Sequence, residues 1–387
     1  MLFPHLHKAL FVSGYVMKTS YLLIIFILTA FTSCGQTKTD TGKKDVSFDT
    51  LINRFKEYNY ENDTIRLPLI HSGDGYKVVL SSNPISINLI DTVFKNPYAK
   101  TYPVSYSVVF QNNLVALFEP GKFVCYNLGN LERNLDLESR LNTKKFNYHW
   151  ILNTKLVAQS GNQYFYFADD SWKTYTNKIP LKKQPKLFED EKYIGFFDCH
   201  GEWGGTVYFY NKSTHKTYFT EATCANTIIK KGDKYFVLSK LGHMMGSSEL
   251  KEIANPDQLS ELKQKETNKP FRGVALGYSD STKHSKQIFD FFGLQIFSSL
   301  PIYDRTVYLV NWRQRTFLAE LNDTTFSIVH PLCNDELYTH QPVTTINPDN
   351  TIINLDFYGI AGEREVSVLI VKDNKLTRID WNEKHNR

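Results

Sequence analysis

The chain reads as an all-β protein, a β-propeller of about six or seven irregular blades, and three observations predict it. Aromatic content is 14%, with 27 Phe and 23 Tyr, and such residues favour pleated, half-buried surfaces. From Tyr76 onward, short runs of β-branched or aromatic residues alternate with polar turns. A paired-strand unit then recurs at Tyr164–Tyr175, Val207–Phe219, Val307–Leu318 and Val366–Ile379. With Phe123 in front, the starts fall 41, 43, 100 and 59 residues apart, and a weaker copy near Tyr235 divides the longest interval, against about 40–50 for four-stranded blades. Radial repetition also leaves few long unpaired edges. Two β-sandwich domains are the alternative architecture.

Taken in order, residues 1–33 read as an export signal. Lys18 precedes an apolar run from Tyr21 to Phe31, long enough for a secretory core and well short of the roughly 20 residues that span a bilayer. Thr32 and Ser33 then lead into Cys34 and Gly35. In this arrangement the segment resembles a bacterial lipoprotein signal, with Phe31 where that family usually carries an aliphatic residue. The resemblance implies cleavage before Cys34 and acylation of its thiol, by palmitate among other chains. Gly35 in place of Asp implies the outer membrane, on its periplasmic side or at the cell surface. Each buried methylene contributes about 0.8 kcal/mol, so several acyl chains hold a soluble domain at a membrane. Residues 1–16 would strand Lys18 between two apolar runs, so translation is expected to start at Met17.

Residues 34–47 are small, polar and charged, the composition of a flexible tether. The propeller-like domain is assigned to 48–387. Leu51, Ile52 and Phe55 stand at helical spacing, which predicts one amphipathic helix over Phe48–Tyr58. Strands are expected at Lys77–Leu80, Tyr106–Phe110, Leu114–Phe118 and Phe123–Tyr126, separated by turns such as Gln111-Asn112-Asn113 and Glu119-Pro120-Gly121. One stretch breaks the pattern. Leu250, Ile253, Leu259 and Leu262 predict a helical insertion near 247–268, lying on a face or rim.

Composition narrows the function. Hydrophobic content of 42% with 22% charged residues is that of a globular chain. The formal charge is +5, and losing Lys8 and Lys18 with the signal lowers it to +3. No clustered basic face accompanies it, so nucleic acid is not an expected partner. Beyond Cys34, the cysteines are Cys125, Cys199, Cys224 and Cys333. An exported compartment permits disulfides. Cys199 and Cys224 flank one hairpin-like stretch and are the favoured pair, with free buried cysteines as the alternative.

The densest polar stretch is Asp198-Cys199-His200-Gly201-Glu202-Trp203-Gly204-Gly205. His200 and Glu202 suit a metal pair or an acid/base pair, since imidazole titrates near neutrality and a carboxylate can orient it. The plainer reading is a tight blade turn, with Trp203 packed as a wedge. A second glycine-bracketed loop, Gly242 to Gly246, carries His243. Equivalent loops of successive blades gather on one face, so His243 is expected to approach His200 and Glu202. A third loop, Tyr358 to Glu365, is expected on the same face. Asp198, His200, Glu202, Trp203 and His243 are therefore the candidate ligand or metal residues. No nucleophile elbow, phosphate loop, His-Glu-x-x-His or paired Cys-x-x-Cys occurs, and no particular cofactor is indicated. Two functions follow: a membrane-anchored binding or scaffolding lipoprotein for a protein, glycan or small ligand, or a propeller hydrolase or lyase working in the central channel.

Overall fold

The computed structural model describes residues 46–381 apart from 58–66, 68, 72–74, 95–97, 99–102, 178, 244, 264–283, 313–314, 334–336, 338, 340 and 356–367, and apart from the side chains of 69–71 and 333. These residues form a β-propeller of six blades, each an antiparallel meander numbered here in chain order. Blades 1 to 4 begin at Val108, Tyr148, Lys186 and Ala225, a spacing of about 40 residues, as expected of four-stranded units. Blades 5 and 6 begin at Gln295 and Val343.

Sequence explains why the blades stack. In the strand Asn113–Phe118 all six residues are buried. Leu114, Ala116 and Phe118 join a core shared with blade 6, whereas Val115 and Leu117 join a core shared with blade 2. Successive side chains of a strand point to opposite faces, so a continuous apolar run marks a sheet covered on both sides. The same sharing recurs between blades 2 and 3, 3 and 4, 4 and 5, and 5 and 6. Each blade is thus held by two neighbours.

Turn chemistry closes the hairpins. Gln111-Asn112, Asn153-Thr154 and Asp169-Asp170 all sit at positive φ, the backbone of the two-residue turns that suit twisted antiparallel strands. Asn and Asp tolerate that region better than most residues.

Blade 1 has three strands. The short helix α2 (Leu135–Leu141) follows α1 (Phe48–Glu57) in the chain and covers the outer edge of blade 1. Asn134 caps α2 by accepting from the Leu137 N–H at 3.0 Å. The Cys125 N–H donates to Glu138 Oε1 at 3.0 Å, and the Asn134 N–H donates to the Cys125 carbonyl at 2.8 Å. Helix and cap therefore replace a fourth strand.

The N-terminal segment reinforces the far side of the ring. Tyr76–Leu80 adds in parallel to the outer strand of blade 5, and Asn88–Val93 adds in parallel to that of blade 6. Helix α1 buries Ile52 and Phe55 against the core of blades 4 and 5. Between blades 6 and 1 the ring closes through Asn354. Its Oδ1 accepts from the Ser107 N–H at 2.9 Å, and its Nδ2 donates to the Ser107 carbonyl at 3.0 Å.

The helical insertion expected near 247–268 is corrected over residues 247–263, and residues 264–268 lie outside the described ones. Ser247–Ile253 is the third strand of blade 4, paired with Lys234–Leu241 and Ser285–Phe292. Leu250 packs toward blade 5 and Ile253 toward blade 3. A separation of three puts two residues on one face of a helix but on opposite faces of a strand. Both are buried because the blade is sandwiched, which mimics helical periodicity. Only Pro256–Gln258 in this stretch forms a single 3-10 turn among the described residues.

Candidate functional site

Strands two and three of each blade are joined at the same end of the ring, where consecutive blades are also linked. In blade 3 that junction is the loop after Tyr193–Cys199, a 3-10 turn over Gly201–Trp203. Gly201 and Gly204 take φ of +61° and +98°, conformations that side chains with a Cβ adopt at a cost. A Cβ on Gly205 would stand 2.7 Å from the carbonyls of Ala222 and Asp198. The close approach brings Cys199 and Cys224 together, and the structure joins them in a disulfide.

In blade 4 the equivalent junction runs from Gly242 to Gly246. The Gly246 N–H donates to the His243 carbonyl at 2.9 Å. His243 Nδ1 lies 2.7 Å from Glu202 Oε2, tying the loop of blade 4 to that of blade 3. Both side chains are about half exposed, at 52% and 45%. Beside them Trp203 is 46% exposed and Met245 61% exposed. Both therefore present apolar surface to solvent on the two tied loops.

The remaining candidates separate from this pair. His200 is exposed, and its backbone N–H donates to the Gly204 carbonyl at 2.9 Å. Asp198 is absorbed into packing, accepting from the Tyr208 hydroxyl at 2.8 Å and from Gln184 Nε2 at 3.0 Å. Among the described residues no three His, Cys, Asp or Glu side chains gather closely enough to hold a metal ion. The expected His200, Glu202 and His243 set is thus two residues in contact and one apart. The loop Tyr358–Glu365 and Cys34 lie outside the described residues. Cys125 is buried, and burial pushes its thiol well above the ordinary range.

The axis carries a different group of residues. A cavity of about 30 Å³ is bounded by Tyr106, Tyr148, Trp150 and Val343 from the inner strands and their approaches. That holds one or two water molecules and no substrate. His149 lies in its wall, fully buried, with Nε2 3.2 Å from the Val115 carbonyl and Nδ1 2.6 Å from Ser105 Oγ. A carbonyl only accepts, so Nε2 carries the hydrogen and Nδ1 accepts from the serine. Burial drives the imidazole down to about 4 and keeps it neutral. Ser105 is itself fully buried. The dyad joins blade 2 to blade 1 and has no open side for a substrate.

Sequence reasoning did not single out His149, Ser105, or a larger polar cleft between blades 3 and 4. Ser105 and His149 sit 44 positions apart in stretches that read as ordinary strand. Only the stacking of blades brings them together.

No family model matches the chain, and no curated protein matches it. Among solved structures, YjhT is similar over 74% of this chain and 99% of its own, at 9% identity and a TM-score of 0.40. BamB from Moraxella catarrhalis is similar over 66% of this chain and 83% of its own, at 9% identity and a TM-score of 0.35. The extracellular domain of the putative one component system BT4673 from B. thetaiotaomicron is similar over 72% of this chain and 39% of that chain, at 11% identity and a TM-score of 0.36.

Proposed function

We propose that this chain is an exported lipoprotein, anchored to the outer membrane through Cys34, whose propeller binds a protein, glycan or small ligand on the loop face of blades 3 and 4. One observation carries the reading. Glu202 and His243 tie two neighbouring loops at 2.7 Å, and Trp203 and Met245 on those loops are exposed to solvent. Exposed aromatic and methionine side chains on a rigid support are the usual anchors of recognition surfaces.

Trp203 supplies its own reporter. Trp150, Trp312 and Trp381 are all at least 95% buried and Trp172 is packed against the core of blades 1 and 2, so a ligand on the face changes the emission of Trp203 most. A panel of short glycans and peptides titrated against the full-length chain should include a member that shifts this emission saturably. Trp203→Ala should abolish the shift, and His243→Ala should weaken binding. A panel response that survives Trp203→Ala would sink the reading. The anchor is tested separately: Cys34→Ala should release the protein from membranes, and the mass of the mature chain should include acyl groups.

A further inference from the structure

On one side of their shared core, blades 3 and 4 separate to leave a cleft of about 330 Å³. Blade 4 supplies most of its wall from residues that stand side by side on adjacent strands. Ser239, Glu249 and Asp290 form one row, and Lys251 and Gln287 flank it. Glu221 faces them from the end of blade 3. A volume in this range is that of a small-ligand site.

The lining is unbalanced in charge. Lys240 turns away from the cleft, donating to the Thr339 carbonyl and lying 4.7 Å from the centre of the Phe297 ring. Lys251 therefore stands alone against three carboxylates, and it is already engaged. Its Nζ donates to the Glu221 carbonyl at 2.7 Å and lies 3.3 Å from Glu249 Oε2. Burial raises the Glu249 carboxyl above its ordinary value; Lys251 opposes this, and Asp290 and Glu221 add to it.

A second feature is independent of these charges. Ser239 is only 3% exposed and lines the cleft, yet its hydroxyl has no hydrogen-bond partner among the described residues. The oxygen itself is reachable from the cleft, so water or a bound group there completes its hydrogen bonding.

Three ligand classes can be compared. The excess negative charge repels anions. A bare metal needs donors about 2.3–2.6 Å from one point, and no such group is present among the described residues. A larger cation with several N–H donors can span separated carboxylates and still reach a hydroxyl. We propose that this cleft binds a compact organic cation, an ammonium or guanidinium group, held between Glu249 and Asp290 with the Ser239 hydroxyl as a further acceptor. The site goes beyond the loop face. It lies at the stems of the Gly242–Gly246 loop and uses neither Trp203 nor His243.

Calorimetric titration of the full-length chain with putrescine and with N-acetyl-arginine methylamide, at low ionic strength, tests this. One saturable site is expected, weakened by added salt. Glu249→Gln and Asp290→Asn should each lower affinity about tenfold, as for loss of a charged hydrogen bond. Lys251→Met should raise it by removing the competing ammonium, and Trp203→Ala should leave it unchanged. Binding of the arginine probe alone marks a peptide side chain as the source, and binding of putrescine alone marks a free amine; either supports the site. The proposal is overturned by absence of saturable binding or by equal affinity for neutral N-acetyl-glutamine methylamide. It is also overturned if the Glu249→Gln/Asp290→Asn double variant, with an unchanged thermal midpoint, binds as tightly as the parent.

Discussion

The joint between blades 6 and 1 and the joint between blades 3 and 4 occupy equivalent places in the ring but are filled differently. At the first, Phe94, Phe118, Tyr126 and Trp381 interlock, with Phe94 stacked on Tyr126 at 3.9 Å and Phe118 edge-on to Trp381 at 5.1 Å. At the second, the apolar core of Phe197, Phe209, Tyr235 and Ile253 fills only part of the contact. Beyond it lie a polar cleft, a disulfide and two loops tied by the contact of His243 with Glu202. The difference shows a division of labour. Where chain ends must meet, packing is dry and aromatic. Where packing relaxes, a covalent link holds the chain, and polar groups line the space that is left.

If the dry joint closes the ring, emptying it should be the most damaging change. Phe118 is fully buried there, and Phe118→Ala should destabilise the fold by about 3–5 kcal/mol, as for other core Phe truncations. Denaturant unfolding measures this directly. A loss below about 1 kcal/mol would mean that the blades hold without their closure. Next in size is the disulfide. Cys199 and Cys224 are 25 positions apart, and a loop of that length contributes about 3.5 kcal/mol on the chain-entropy model. The Cys199→Ala/Cys224→Ala pair should lose that much, and reduction of the parent protein should reproduce the loss.

The third test uses pH. His149, buried between blades 1 and 2, remains neutral in the fold until about pH 4. In the unfolded chain an imidazole takes up its proton near 6.5. Its contribution is therefore complete above about pH 6.5 and is lost as pH falls toward 4, by about 3 kcal/mol in all. His330 behaves in the same way, since burial also lowers it to about 4. Unfolding free energies measured across pH 4–7 should fall steeply at the acid end. A His149→Gln variant should lose part of that slope. A flat profile would show that neither imidazole is held neutral.

How much of this was legible beforehand follows from the same contrast. The strand runs, their turns and the blade repeat are local properties, and Val207–Tyr210 or Val307–Val310 announce a buried strand without help from partners. Local patterns also mislead where a sheet is covered on both faces, and for that reason Leu250 and Ile253 read as one side of a helix. The parallel addition of Asn88–Val93 to Lys375–Asp380 left no trace in sequence, because nearly the whole ring intervenes. At the candidate face, the approach of His243 to Glu202 was foreseeable from equivalent loop positions. The row of Ser239, Glu249 and Asp290 was not, since it depends on the register of three strands.

The smallest expected effect on stability sharpens the comparison most. Glu202 and His243 are about half exposed, and an exposed polar contact of this kind, ionic or neutral, contributes at most about 1 kcal/mol. Glu202→Gln should therefore shift the unfolding free energy by less than about 0.5 kcal/mol, and Trp203→Ala, which removes a ring already 46% exposed, by little more. The same substitutions should alter the emission response to whichever panel ligand binds, because they loosen or remove the surface that touches it. A residue at the dry joint cannot behave so: Phe118→Ala must act on stability first and on binding only through unfolding. If Glu202→Gln instead destabilises the chain as severely as Phe118→Ala, the tie between the loops is part of the framework. The case for a recognition face on blades 3 and 4 would then lose its main support.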